Sequence, residues 1–302
     1  MALSHYVNTM GRNLSQRYGH KVHKIAIDAG FTCPNRDGTK GNGGCTFCNN
    51  VSFSPNGRNI PDVTLQIQAG KQVIRKRTGA RKYIAYFQAY TNTYADVCEL
   101  EKQYDTVLAE KDIIGLSVGT RADCVSNEVL DLLQKYQNQG IEVWLELGLQ
   151  STFDETLQKV NRGSDFADYQ KVITQAQQRQ IPVCTHLIIG LPGENKQHNK
   201  VSLQRVLDHG VQGLKLHPLH VVKGTQLANQ WRQGEYQPLS MLEYIHIAAD
   251  LIEMTPDHIV YHRVTGTAPK QLLLAPDWCS KKWAVLNGIE NELKSRGVKQ
   301  WN

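Results

Sequence analysis

An α/β fold built on a parallel sheet is what this sequence predicts, and three observations carry the prediction. Short apolar and β-branched runs alternate with segments of helical periodicity. After a long first interval the runs start roughly 30 to 45 residues apart, the length of a strand plus a helix that returns to the same end of the sheet. The distinctive polar residues gather at or just past the ends of those runs. Six or seven such units suggest an incomplete barrel, with a doubly wound open sheet as the alternative.

The strand-like runs are, in order, 24–29 (KIAIDA), 83–88 (YIAYFQ), 113–118 (IIGLSV), 142–149 (EVWLELGL), 183–189 (VCTHLII), 213–217 (GLKLH) and 259–264 (IVYHRV). Their β-branched and aromatic content suits a pleated, buried surface. Between them, 63–77, 97–111, 128–139, 166–179, 200–209 and 239–254 place apolar residues three and four apart, as a helix packed on a sheet requires. The first interval holds three cysteines, so a long functional loop is expected after the first strand.

Composition fits an ordinary globular chain: of 302 residues 40% are hydrophobic and 21% charged, which excludes disordered, collagenous and coiled-coil classes. No apolar run nears the ~20 residues that span a bilayer, and the first residues lack the apolar core of a secretory signal, so a cytoplasmic protein without membrane contact is expected. Lys plus Arg at 34 against Asp plus Glu at 28 leaves 34 − 28 = +6, which permits an anionic partner without requiring one. The basic residues concentrate in the amino terminus, in KQVIRKRTGARK (71–82) and in Lys281-Lys282-Trp283. Such runs are either solvated faces or a footprint for nucleic-acid phosphates.

Seven cysteines is an odd number, and a disulfide framework is not expected. Cys98, Cys124, Cys184 and Cys279 stand singly among apolar neighbours and read as buried small hydrophobes. Cys33, Cys45 and Cys48 differ, because CPNRDGTKGNGGCTFC has five Gly or Pro among its sixteen residues and can fold back to bring three thiols together. Three convergent soft ligands suit zinc, with His20 or His23 completing a tetrahedron, or three irons of a [4Fe–4S] cluster with the fourth iron open. The position at the mouth of an α/β sheet favours the cluster.

With Thr46-Phe47-Cys48 in that loop, the series FQAYTNTY, GTRADC, ELGLQS, NRG and HLIIGLPGE resembles the radical S-adenosylmethionine (SAM) superfamily. The likeness runs from about Gly19 to Trp283, and within the superfamily it is to the elongator-catalytic-subunit-like branch and its bacterial YhcC/YtqA group. Eleven residues, rather than three, separate Cys33 from Cys45, which is similar to that branch. The resemblance implies a partial (β/α)6 barrel of TIM type over 24–265, with short extensions at 1–23 and at 266–302, the latter on or near the barrel mouth. It implies a [4Fe–4S] cluster on Cys33, Cys45 and Cys48 and SAM as the second cofactor, cleaved reductively to a 5′-deoxyadenosyl radical.

By the same resemblance Phe47 packs near the adenine, Gln88 and Ala89 stand where the methionyl amine is held, Gln150 and Arg162 contact ribose and carboxylate, and Ile189 and Gly190 border the adenine. Here the usual Gly-Gly-Glu is replaced by Phe87-Gln88-Ala89. Arg121, Lys215, His217, His262 and Arg263 fall at strand ends on the substrate side, and Arg121 has Asp123 at hand as an alternative partner. The branch implies a tRNA substrate with wobble-uridine modification, and an electron donor of flavodoxin or ferredoxin type. Two other readings stand beside it: the same radical chemistry on a small metabolite, and a zinc-stabilised nucleic-acid-binding module without catalysis.

Overall fold

The computed structural model describes residues 2–49 and 62–300; residue 1, residues 301–302 and residues 50–61 of the first long loop lie outside it. Seven parallel strands form one curled sheet in the order β1 (Val22–Ile27), β2 (Lys82–Phe87), β3 (Ile113–Thr120), β4 (Glu142–Gln150), β5 (Val183–Ile189), β6 (Gly213–Pro218) and β8 (Val260–Arg263). All seven runs read from the sequence are present, and the architecture is the partial barrel of the radical SAM type, its six strands extended by a seventh. A short antiparallel pair, β7 (Val221–Val222) with β9 (Leu273–Ala275), stands outside it. Two residues of β7 are too few for a periodic signal, so sequence reading passes over it.

The six helices expected from periodicity are α2 (Val63–Thr78), α3 (Val97–Leu108), α4 (Asn127–Asn138), α6 (Phe166–Gln178), α7 (Lys196–Asp208) and α9 (Met241–Met254). Each starts on a side-chain cap, from Asp62, Asp96, Ser126, Asp165, Asn195 and Ser240 respectively, which satisfies otherwise orphaned backbone N–H groups. Their apolar faces and the outer faces of the strands make the main core, with Tyr104, Tyr136, Tyr169 and Tyr244 wholly buried. None of the described helices is long and apolar enough to cross a membrane.

The remaining helices are α1 (Met10–Tyr18), α5 (Asp154–Lys159), α8 (Gln226–Arg232) and α10 (Lys282–Ser295). Of these α1 matters most for the site. It follows a bridge between Thr9 and Tyr261 of β8, and Tyr261 N–H donates to Asn8 O at 2.7 Å. Met10 and Leu14 then join Val22, Ile84, Trp144, Cys184 and Val260 in an apolar cluster at the amino-terminal end of the barrel. Thus α1 plugs the floor beneath the two edge strands, and Arg17 and Tyr18 fasten it by donating to the Glu142 carboxylate at the start of β4. At the other terminus α10 packs along α9.

Candidate active site

The carboxyl ends of the strands surround a cavity of about 1170 Å3, measured out to its solvent opening. Its wall includes Cys33, Cys45, Cys48 and Phe47 from the first loop, Gln88 after β2, Arg121 after β3, and Gln150 with Arg162 after β4. Lys215, His217 and Arg263 complete it from β6 and β8. A parallel sheet delivers every strand end to one face, which is why residues separated by more than 200 positions meet here.

The cysteine loop is held rigidly. Gly43 and Gly44 turn it through positive φ, and a Cβ on Gly44 would lie 2.8 Å from the Arg36 Nε. Thr46 N–H donates to Val160 O at 3.0 Å, Asn161 Nδ2 donates to Gly44 O at 2.9 Å, and Leu227 N–H at the start of α8 donates to Thr46 O at 2.8 Å. Phe47 packs on the apolar cluster of Ile188, Leu191, Leu219, Leu227 and Tyr236. None of the three thiols is in a disulfide; burial, and next Cys45, push the Cys48 thiol up to about 11. Asn35 Nδ2 and Arg162 Nη1 approach the Cys45 sulfur at 3.9 and 4.0 Å.

Arg121 takes the second of the two roles open to it. Its guanidinium donates to Asp123 at 2.9 and 2.8 Å and to the carbonyls of Arg162 and Gly163 at 2.7 and 3.0 Å, while Lys40 of the cysteine loop closes on Asp123 at 2.7 Å. This strut ties β3 to the loop. A bulge in β4 between Gly148 and Gln150 puts Gln150 at φ +79°, and Arg162 donates to Gly148 O, so the side chains of Gln150 and Arg162 both lie over Gly148. A Cβ on Gly148 would lie 2.9 Å from the Gln150 side-chain nitrogen and 3.4 Å from Arg162 Nη2, so a larger residue there would displace the Gln150 amide.

Four residues singled out in the sequence sit elsewhere than on the cavity wall. Ala89 and Ile189 are buried, since strand alternation gives the cavity Ile188 instead, and Gly190 is packed beneath Leu239 with its carbonyl accepting from Tyr236 Oη at 2.9 Å. His262 is a correction: its ring turns down into the barrel floor, edge-on to Trp144 at 4.5 Å, and not toward the substrate side. Cys98 is another, being exposed in the first turn of α3, whereas Cys184 and Cys279 are buried as expected and Cys124 is half-buried.

Beneath the cavity lies a group of charges in which Lys215 and His262, singled out from the sequence, meet Glu146, Lys24 and His186, which sequence reading missed. Glu146 is fully buried at the middle of β4 and forms ion pairs with Lys24 of β1 and Lys215 of β6. It also accepts from Ser117 at 2.5 Å and pairs with His186 at 2.7 Å and His262 at 3.3 Å. Lys215 donates onward to Tyr86 Oη at 2.8 Å. Burial alone would raise the Glu146 carboxyl, but the ammonium groups of Lys215 and Lys24 hold it well below its usual range. Glu146, Cys184 and His186 have the donor types of a metal site, yet two ammonium groups already occupy the carboxylate. The available signal was Glu146, a carboxylate set between Leu145 and Leu147 in the middle of the apolar run EVWLELGL that Glu142 opens.

The histidines of this floor give a testable pH window. Burial, with Lys215 next, lowers His186 to about 4, and burial, with Lys24 next, lowers His262 to about 3. The unfolded imidazoles take protons near 6.5, so below that value the unfolded state binds more protons than the folded one and stability falls. Urea midpoints are therefore expected to drop from about pH 7 to about pH 4, by up to about 1.4 kcal/mol per pH unit for each group, and the slope is expected to shrink in His186→Gln. A flat profile across that window contradicts the assignment of neutral buried imidazoles.

Residues 37–206 match the Radical SAM superfamily, and residues 211–295 match the Radical_SAM C-terminal domain. The chain belongs to the radical SAM superfamily. Within it the chain falls in the YhcC/YtqA group: it is 45% identical over 298 residues to Protein YhcC of Escherichia coli K12, covering 99% of this chain and 96% of that protein. At 26% identity over 178 residues it also resembles a tRNA uridine(34) acetyltransferase of Methanocaldococcus jannaschii, covering 58% of this chain and 32% of that one. Among solved structures, the Elp3 of Methanocaldococcus infernus with an N-terminal deletion has the same fold, at a TM-score of 0.70 and 18% identity over 92% of this chain, which spans 64% of that structure's chain. The enzyme is thus a radical SAM enzyme, and its cofactors are a [4Fe–4S] cluster and SAM.

Proposed function

We propose that the enzyme cleaves SAM reductively on a cluster held by Cys33, Cys45 and Cys48 and uses the resulting radical on tRNA, in wobble-uridine modification. The donor set fits the cluster: three uncrosslinked thiols line one wall of one cavity, and no other cysteine is among the described residues of that wall. When bound, the cluster supplies the electron that breaks the carbon–sulfur bond of SAM. The chain's own residues bind and orient. Gln150 and Arg162, together over Gly148, suit the ribose and the methionyl carboxylate, for which a guanidinium fork is apt. Phe47 offers an apolar face for the adenine, with Ile188 in the same cluster.

The tRNA half rests on the likeness to the uridine(34) acetyltransferase, and the surface supports it unevenly. The basic run 71–82 covers the end of α2 and the turn into β2, at the amino-terminal end of the sheet and away from the cavity mouth, with Lys71 and Lys82 paired to Glu110 and Asp112. Lys270, Lys281, Lys282 and the exposed Trp283 instead share a cleft with Thr267 and Ala268, just past the strand that carries Arg263. Cations beside an exposed indole, with the Lys282 ammonium over its ring at 5.7 Å, suit phosphates and a stacked base. Such a substrate places the enzyme in the cytoplasm, with a flavodoxin- or ferredoxin-type donor supplying electrons.

The test is anaerobic incubation of reconstituted enzyme with SAM, reductant and total tRNA, reading 5′-deoxyadenosine and the nucleoside digest. The expected result is 5′-deoxyadenosine formation that tRNA stimulates, with a mass change at one uridine. SAM cleavage with unaltered tRNA, and substrate binding insensitive to salt, would instead point to a small metabolite.

A further inference from the structure

Among the described residues, two other than glycine line the cavity with left-handed backbone, Gln150 and Tyr90. The β4 bulge accounts for Gln150, because it folds that side chain over Gly148 beside Arg162. Tyr90, at φ +62°, has no such account. Among the described residues its hydroxyl makes no hydrogen bond and its ring meets no aromatic or cationic partner. Tyr90 is half-buried, between Ala89 and Thr91, each only 1% exposed.

The surrounding chain forces the conformation. Gln88 N–H donates to Ile27 O and Thr91 N–H to Thr32 O, both at 3.2 Å. Asn92 is wholly buried and its side-chain amide donates to Phe87 O at 3.1 Å and Gly119 O at 2.7 Å. With both flanks pinned, residue 90 is left to close a turn that glycine would adopt freely and a tyrosine adopts under strain. The same turn is tied to the cysteine loop, where Tyr94 Oη donates to Thr39 Oγ1 at 2.9 Å. A strained backbone that holds an unpartnered aromatic ring at a reaction cavity marks a ligand contact.

We propose that Tyr90 is a stacking platform, its ring receiving the planar face of the substrate's base as that base enters the cavity beside the cysteine loop. This rests on the tRNA reading given above. A flat π face with a hydroxyl at its edge suits a nucleobase, which offers a π face and polar edges of its own.

The experiment compares wild type, Tyr90→Phe and Tyr90→Gly as cluster-loaded enzyme with SAM present, titrated with fluorescently labelled total tRNA. Thermal midpoint and SAM affinity are measured in parallel. Tyr90→Phe is expected to bind as wild type does, and Tyr90→Gly roughly tenfold or more weakly. The glycine variant is also expected to melt no lower than wild type, since it relieves strain, and to keep its SAM affinity; a residue serving only the fold would lose stability instead. Unchanged tRNA binding in Tyr90→Gly overturns the proposal, and so does a parallel loss of SAM affinity, which would assign the ring to the cofactor. Wild type that binds no tRNA fails the tRNA reading alone. Saturation-transfer NMR with free uridine then decides the platform: contact on wild type and Tyr90→Phe that vanishes in Tyr90→Gly upholds it, while equal contact in all three, or none on wild type, overturns it.

Discussion

Glu146→Ala is expected to destabilise the fold by about 3 to 5 kcal/mol, a large share of the margin an ordinary domain has. The carboxylate is fully buried between the ammonium groups of Lys24 and Lys215, and its removal leaves both cations under the cavity with no counter-charge. Hydrogen bonds from Ser117, His186 and His262 would lose their acceptor as well. Urea denaturation reads the loss directly. Glu146→Gln keeps the shape while losing the charge and should fall between wild type and alanine. Replacing Lys24 and Lys215 by Met together with Glu146→Leu should recover most of the stability, because a packed apolar trio needs no desolvated charge. A Glu146→Ala protein within about 1 kcal/mol of wild type would show that the floor is wetter than its burial indicates.

Cys45→Ala is expected to abolish both stable iron–sulfur loading and formation of 5′-deoxyadenosine. Cys45 is the thiol on which the Asn35 amide and the Arg162 guanidinium converge, so these two side chains fix its place in the loop. Its carbonyl also accepts Cys48 N–H at 2.9 Å, so the two ligands share one tight turn. Cys124→Ala is the control. That thiol lies near the site but off the cavity wall, apart from the three loop cysteines, so it should be dispensable. Iron and sulfide analysis after anaerobic reconstitution separates the two variants before any activity is measured. Stoichiometric iron in Cys45→Ala, or its loss in Cys124→Ala, would reverse the assignment.

Strands and helices were legible in the sequence because their patterns are local. The runs of Ile, Val and aromatic residues fall on all seven strands, and the three- and four-residue spacing falls on the six large helices. The parallel arrangement then follows from the intervals alone, and it sends Cys33, Gln88, Arg121, Gln150, His217 and Arg263 to one face without reference to any side-chain contact. The cysteine loop could be read for the same reason, its thiols and glycines lying within sixteen residues. Local pattern does not say which side a residue faces after a bulge or at a short strand's end. That is how His262 came to be placed with Arg263 although its ring points into the floor.

By itself, then, the sequence determined the order of elements, the end of the sheet at which its distinctive polar residues gather, and the superfamily. Tertiary structure alone decided what lies across the barrel. Lys24, Glu146 and Lys215 sit on three different strands, so their meeting depends on sheet order and curl, which no window of sequence contains. The same holds for α1, a short amphipathic helix whose role as a floor plug appears only once β1 and β8 become the two edges of one sheet. Tyr90 is the sharpest case: its letter is unremarkable, and its left-handed backbone is imposed by hydrogen bonds from Gln88, Thr91 and Asn92 to three other segments. Backbone strain is stored where distant contacts over-determine a turn, so it belongs to the folded chain and has no signature in the order of residues.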